Sequence, residues 1–163
     1  MGVVEKILEV VGINVNVVHS GSTPLYEASS NGHLAIVKVL IKAGGNVNQA
    51  RTTNGFTPLS MASQSGHIQV VKLLLNTNTI DINQHDISNR TPLNIASHAG
   101  QTEIVRLLLK QPNIDLNKID KWNTTALGIA TQRNHTEIIQ LLKNALYSIK
   151  EAVAANDINY VQQ

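Results

Sequence analysis

The chain contains no cysteine, which removes thiol nucleophiles, disulfides and cysteine-ligated zinc from consideration. Aromatic residues supply only 3% and charged residues 15% of its 163 positions, so its surface is polar without being strongly charged. The 13 Lys and Arg against 11 Asp and Glu leave a formal charge of +2, too small a bias to indicate electrostatic capture of nucleic acid. No apolar run reaches the roughly 18 residues of a candidate membrane span, and no signal-peptide core is present. These absences predict a soluble, cytoplasmic chain with neither nucleic-acid nor membrane partners; delivery into a host cell is the alternative location.

What is present is enough apolar residue, 42%, to bury a core, and a length suited to one domain. The 18 Asn and 10 Gln form a second excess. With abundant Ile, they are what AT-rich codons produce, which points to an organism such as an intracellular bacterium or a protozoan.

Four in-register copies of one pattern dominate the row. Thr23-Pro24-Leu25, Thr57-Pro58-Leu59, Thr91-Pro92-Leu93 and Thr125-Ala126-Leu127 follow one another at steps of 34 residues. The same step relates Ala28, Ala62, Ala96 and Ala130, then Gly32, Gly66, Gly100 and Asn134. It also relates Ile36-Val37, Val70-Val71, Ile104-Val105 and Ile138-Ile139, and the closing Leu40, Leu74, Leu108 and Leu142. A threonine ahead of a proline at the first helical position is an N-cap, and the glycine that follows can supply a left-handed exit. Apolar residues at 36, 37, 40 and 41 then recur at helical spacing until Gly44-Gly45 breaks them. Each unit therefore reads as helix, turn, helix, extended loop.

Tetratricopeptide repeats share the period but lack the Thr-Pro-Leu start and the Val/Ile/Leu-Asn element between units. Thr23-Pro24-Leu25, Ala28, Gly32-His33, Ile36-Val37, Leu40 and Val47-Asn48 resemble the ankyrin repeat, and the resemblance runs from about residue 3 to residue 163. It implies an all-α repeat solenoid of stacked helix-turn-helix units with short β-hairpin loops. The units fall at 1–17 (an N-terminal half repeat), 18–51, 52–85, 86–119 and 120–145, with a C-terminal partial repeat at 146–163. Where the ankyrin pattern places a histidine bridging helix and loop, this chain has Tyr26, Ser60, Asn94 and Gly128, so that network must be different or weaker. Units two and three also carry one extra residue before the hairpin, which should displace their loops.

Both ends cut through a repeat. Val3-Val4, Ile7-Leu8 and Val15-Asn16 match a second helix and its exit; Ile149, Ala152, Asn156 and Val161 match the start of a fifth unit. Only 22 residues separate Thr125 from Tyr147, so the hairpin before that fifth unit is missing and helix should run nearly continuously from about Thr136 to Ala155, or with one break. Natural half-caps would explain such ends. Borders cut from a longer chain explain better why Tyr160-Val161-Gln162-Gln163 stops in mid-helix without a cap signal.

No catalytic or cofactor chemistry emerges, and the chain is read as not an enzyme and as binding no cofactor or metal. Gly44-Gly45 lacks nucleotide-loop spacing, and no nucleophile elbow, catalytic carboxylate pair or His-Glu metal helix is found. His33, His67 and His135 form a column, but stacked helices lie about 8–10 Å apart while a metal–nitrogen bond is about 2 Å. A structural role at the start of each second helix is the better reading.

The resemblance instead implies a protein–protein interaction module, an adaptor or scaffold, monomeric in itself, holding another protein or peptide on the concave face made by first helices and hairpin tips. The alternative is a targeting or regulatory segment of a larger enzyme, or a secreted bacterial effector. Carried over by position, the contact sites are His19, Ser20, Ser22, Ser30 and Asn31, then Thr53, Asn54, Phe56, Gln64 and Ser65. The third unit supplies Ile87, Ser88, Arg90, His98 and Ala99, and the fourth Lys121, Trp122, Thr124, Gln132 and Arg133. Aromatic and arginine residues anchor interfaces disproportionately, which singles out Phe56, Arg90, His98, Lys121, Trp122 and Arg133. The cations cluster in the last two units, where an acidic or phosphorylated segment would pair with guanidinium groups. Asp86 and Asp120 are expected to bond their own loops. The family's asparagine-hydroxylation pattern is matched at Asn16, Asn48, Asn83 and Asn117; stabilisation of the hairpin is the simpler reason for those residues.

Overall fold

The computed structural model describes residues 13–161. Most of the expected N-terminal half repeat, including Val3-Val4 and Ile7-Leu8, lies outside them. Four helix pairs follow in order: α1 (Pro24–Ser30) with α2 (Leu34–Lys42), α3 (Pro58–Ser65) with α4 (Ile68–Leu75), α5 (Pro92–His98) with α6 (Thr102–Leu109), and α7 (Ala126–Gln132) with α8 (Thr136–Val161). No helix among the described residues is long and apolar enough to cross a membrane.

Each first helix starts where the sequence predicts. The Thr23, Thr57, Thr91 and Thr125 hydroxyls accept hydrogen bonds from the amides of Tyr26, Ser60, Asn94 and Gly128 at 3.1–3.3 Å. Each such cap contributes about 1 kcal/mol by satisfying an otherwise orphaned donor. Gly66 then ends α3 at φ +80°; Gly32, Gly100 and Asn134 take the same left-handed conformation after α1, α5 and α7. The chain thereby reverses within two residues and lays the second helix back along the first.

Stacking supplies the core. First helices pack on first helices, second helices on second helices, and the two layers on each other. Leu25, Leu59 and Leu93 fill one layer and Val71, Leu74, Val105, Leu108 and Leu142 the other, all within one continuous cluster. A smaller cluster of Tyr26, Phe56 and Ile95, with Met61 against it, lies apart from that core. Tyr26 thus occupies the ankyrin histidine position as packing rather than as a polar bridge. Asn94 keeps a polar link, reaching the Lys118 carbonyl at 3.4 Å.

The loops between units are hairpin-shaped without laddered strands; among the described residues the single β-bridge joins His19 and Ser22. Two backbone bonds close each later tip: Arg51 N to Phe56 O with Gly55 N to Arg51 O, Asp86 N to Arg90 O with Asn89 N to Asp86 O, and Asp120 N to Thr124 O with Asn123 N to Asp120 O, at 2.8–3.0 Å. A second set runs from tip to tip, from the amides of Thr52, Ile87 and Lys121 to the carbonyls of Gly21, Asn54 and Ser88. The extra residue in units two and three lies in the turn after the second helix and is offset by tips one residue shorter, Asp86–Arg90 and Asp120–Thr124 against Arg51–Phe56, so the 34-residue step is kept. Helix α8 passes through residues 145 and 146 without a turn, as the missing hairpin predicts.

Candidate protein-binding face

The last two tips are built around buried aspartates. Asp86 Oδ1 accepts the amides of Ser88 and Arg90 at 2.8 and 2.9 Å, and its Oδ2 accepts Arg90 Nε at 2.8 Å while pairing with Nη2 at 2.7 Å. Asp120 Oδ1 accepts the amides of Trp122 and Thr124, both at 2.9 Å. Asn89 and Asn123 sit at φ +59° and +61°, a left-handed position that asparagine tolerates better than most residues. Tied from inside, the tips hold Ile87 and Trp122 outward, 72% and 62% exposed. Lys121 Nζ lies 4.5 Å from the Trp122 ring centroid, a cation–π contact on an indole that stays largely exposed.

Between these tips and the ends of α5 and α7 opens a hollow of about 390 Å³, lined by Arg90, His98, Asp120, Trp122, Thr124, Ile129, Gln132 and Arg133. Arg133 donates through Nη2 to His98 Nε2. Partial burial, and then the nearby charges of Arg133, Arg90 and His135, push the His98 pKa below the ordinary histidine value. His98 is therefore a neutral acceptor at neutral pH, and Arg133 presents the unshared positive charge: among the described residues no carboxylate lies within ion-pair distance of it.

The family model for ankyrin repeats (3 copies) matches residues 2–86 and, overlapping that span, 78–153. The chain belongs to the ankyrin-repeat family. No curated protein matches it. Ankyrin repeats are generally protein–protein interaction modules.

Four of the six singled-out residues line the one hollow, and Lys121 sits beside it on Trp122. Phe56 does not project there. It is buried, with the Arg90 guanidinium 5.4 Å above its ring centroid, so it supports Arg90 from below. Arg90 itself is engaged by Asp86 and Phe56, unlike Arg133. Asp120 and Ile129 complete the lining and were not singled out from sequence; Asp120 was read only as a loop residue, and Ile129 lies in an ordinary helical repeat position.

Two ankyrin-stack columns hold this face in place. His67 Nε2 meets the Ser30 carbonyl at 2.9 Å, Gln101 Nε2 donates to the Gln64 carbonyl at 3.2 Å, and His135 Nε2 meets the His98 carbonyl at 3.3 Å. Each side chain reaches back to the preceding unit's first helix, which gives His67 and His135 of the histidine column a structural role. In the second column, Asn16, Asn48 and Asn83 each clamp the next unit's loop. Their Nδ2 atoms donate to the carbonyls of Gly44, Thr79 and Asn113, and their Oδ1 atoms accept the amides of Asn46, Asp81 and Asp115, all at 2.7–3.0 Å. Asn117 is exposed and makes no such clamp among the described residues, since no further loop follows it.

Proposed function

We propose that this ankyrin stack is a non-catalytic adaptor whose C-terminal half grips an acidic or phosphorylated segment of another protein on the face formed by first helices and loop tips. The observation carrying this reading is the convergence of Arg90, His98, Trp122 and Arg133 on one open hollow in which Arg133 has no carboxylate partner. An exposed indole beside a guanidinium that has no carboxylate partner among the described residues suits a segment with an anionic side chain next to an apolar one. Units one and two, with Ser, Thr, Asn and Gln at the matching positions, would add weaker hydrogen bonds.

A peptide array with matched acidic, phosphorylated and neutral sequences tests this directly. The wild-type protein should retain acidic or phosphorylated members, and Arg133→Glu and Trp122→Ala should each weaken that binding at least about tenfold, the loss expected of an interface anchor. Retention of neutral peptides alone, or indifference to both substitutions, places the partner elsewhere on the stack.

A further inference from the structure

The hollow's charges are unequal in availability. Arg90 is neutralised by Asp86, and Asp120 is occupied by the Trp122 and Thr124 amides. Lys121 is held over the indole outside the lining. Arg133 and His98 remain, the guanidinium donating to imidazole Nε2. Guanidinium cannot accept a hydrogen bond, so His98 in this arrangement carries its single proton on Nδ1. An oxyanion approaching Arg133 competes for the same N–H and leaves His98 Nε2 without its donor.

Resting on the reading that the hollow takes an anionic segment, we propose that His98 and Arg133 form a proton-linked clamp for a doubly charged oxyanion, the phosphate of a phosphorylated side chain. The anion takes the Arg133 N–H groups from His98. Nε2 then binds one proton from solvent and donates it as a second charge-assisted hydrogen bond, with Trp122 walling the outer side.

Three groups lower the tendency of His98 to become imidazolium: Arg133 from the turn between α7 and α8, Arg90 from the loop before α5, whose charge still acts at the ring although it pairs with Asp86, and His135 at the start of α8. Asp86 is paired with Arg90, while Asp120 lines the hollow and keeps its charge although its Oδ1 accepts two tip amides. A bound dianion reverses the sign of that field and favours the charged ring. A single carboxylate is balanced by Arg133 alone and gains little from the second cation, so the clamp favours a dianion over a carboxylate. By linkage, a ligand whose binding takes up one proton binds more tightly at lower pH, by at most tenfold per pH unit.

Sulfate is the appropriate probe, because it stays doubly charged across the range in which a phosphate monoester, with a second pKa near about 6, would itself titrate. Trp122 is the chain's sole tryptophan and lines the hollow, so its fluorescence reads occupancy directly. At constant ionic strength, sulfate should bind about tenfold more tightly at about pH 5.5 than at about pH 7.5. His98→Gln should still bind, with equal affinity at both pH values, and Arg133→Gln should bind at neither. Wild-type affinity that is equal at the two pH values, or a pH dependence that survives His98→Gln, overturns the clamp while leaving the anion-binding reading intact. No response of Trp122 to sulfate at either pH overturns both. As an independent readout, the His98 ring resonances should titrate at higher pH with sulfate than without it.

Discussion

Asn48 and Asn83 each use both ends of a carboxamide to tie one repeat's loop to the next, and Asn117, the last in register, ties nothing. A side chain that satisfies a carbonyl and an amide at once should cost about 1–3 kcal/mol when removed. Asn48→Ala and Asn83→Ala should therefore lower the urea midpoint clearly, and Asn117→Ala should leave it where it is; equal losses at all three would contradict the clamp. At the neighbouring column, Gly32 sits at φ +71°, and a methyl there would stand 2.6 Å from His67 Nδ1. Gly32→Ala combines left-handed strain of roughly 1–2 kcal/mol with loss of the His67 contact, so it should also lower the melting temperature. These residues were visible in the sequence only as repeated letters. Asparagine eight residues after a leucine could be counted, but not that its partners lie in the following unit, because the pairs are about 30 residues apart and become neighbours only through stacking.

At the scale of the element, helix starts were the most legible feature, since a cap is a local event written in Thr, Pro and the three residues that follow. Loop shape was less legible. Hairpin loops were expected from the resemblance, and tips closed by two backbone bonds each are what the chain forms, with Asp86 and Asp120 taking donors that a strand ladder would otherwise satisfy. The extra residue of units two and three, expected to displace the loops, lies between the closing leucine and the clamp asparagine, and tips one residue shorter than Arg51–Phe56 restore the 34-residue step. The tip also separates two arginines that look equivalent in the row. Arg90 holds a buried carboxylate, so Arg90→Ala should cost about 1–3 kcal/mol through the partner left unpaired on Asp86. Arg133 has no such duty, and Arg133→Ala should leave thermal melting nearly unchanged while removing the hollow's available charge. A melt in which both variants behave alike would mean that the Arg90–Asp86 pair contributes nothing to the tip.

For the whole molecule, a stack in which each unit touches only its neighbours has stability distributed along one dimension. Leu74 and Leu108 are fully buried in helices flanked on both sides, whereas Leu142, equally buried, lies in α8 with second-helix packing only against α6. Leu74→Ala and Leu108→Ala should each cost about 2–5 kcal/mol and weaken the molecule as a unit. The same change at Leu142 should act first on its own repeat, letting α7 and α8 open ahead of the rest. The proposed binding hollow spans α5 and α7, so loosening the last unit would also dissolve the face that holds the partner. Trp122 sits in that unit and far-ultraviolet circular dichroism sees all helices, which allows the two events to be separated. In urea, Leu142→Ala should move the Trp122 fluorescence midpoint below the circular dichroism midpoint, while Leu74→Ala should lower both together. If the two signals of Leu142→Ala remain superimposed, the fourth repeat is welded to the third, and the binding face is as rigid as the centre of the stack.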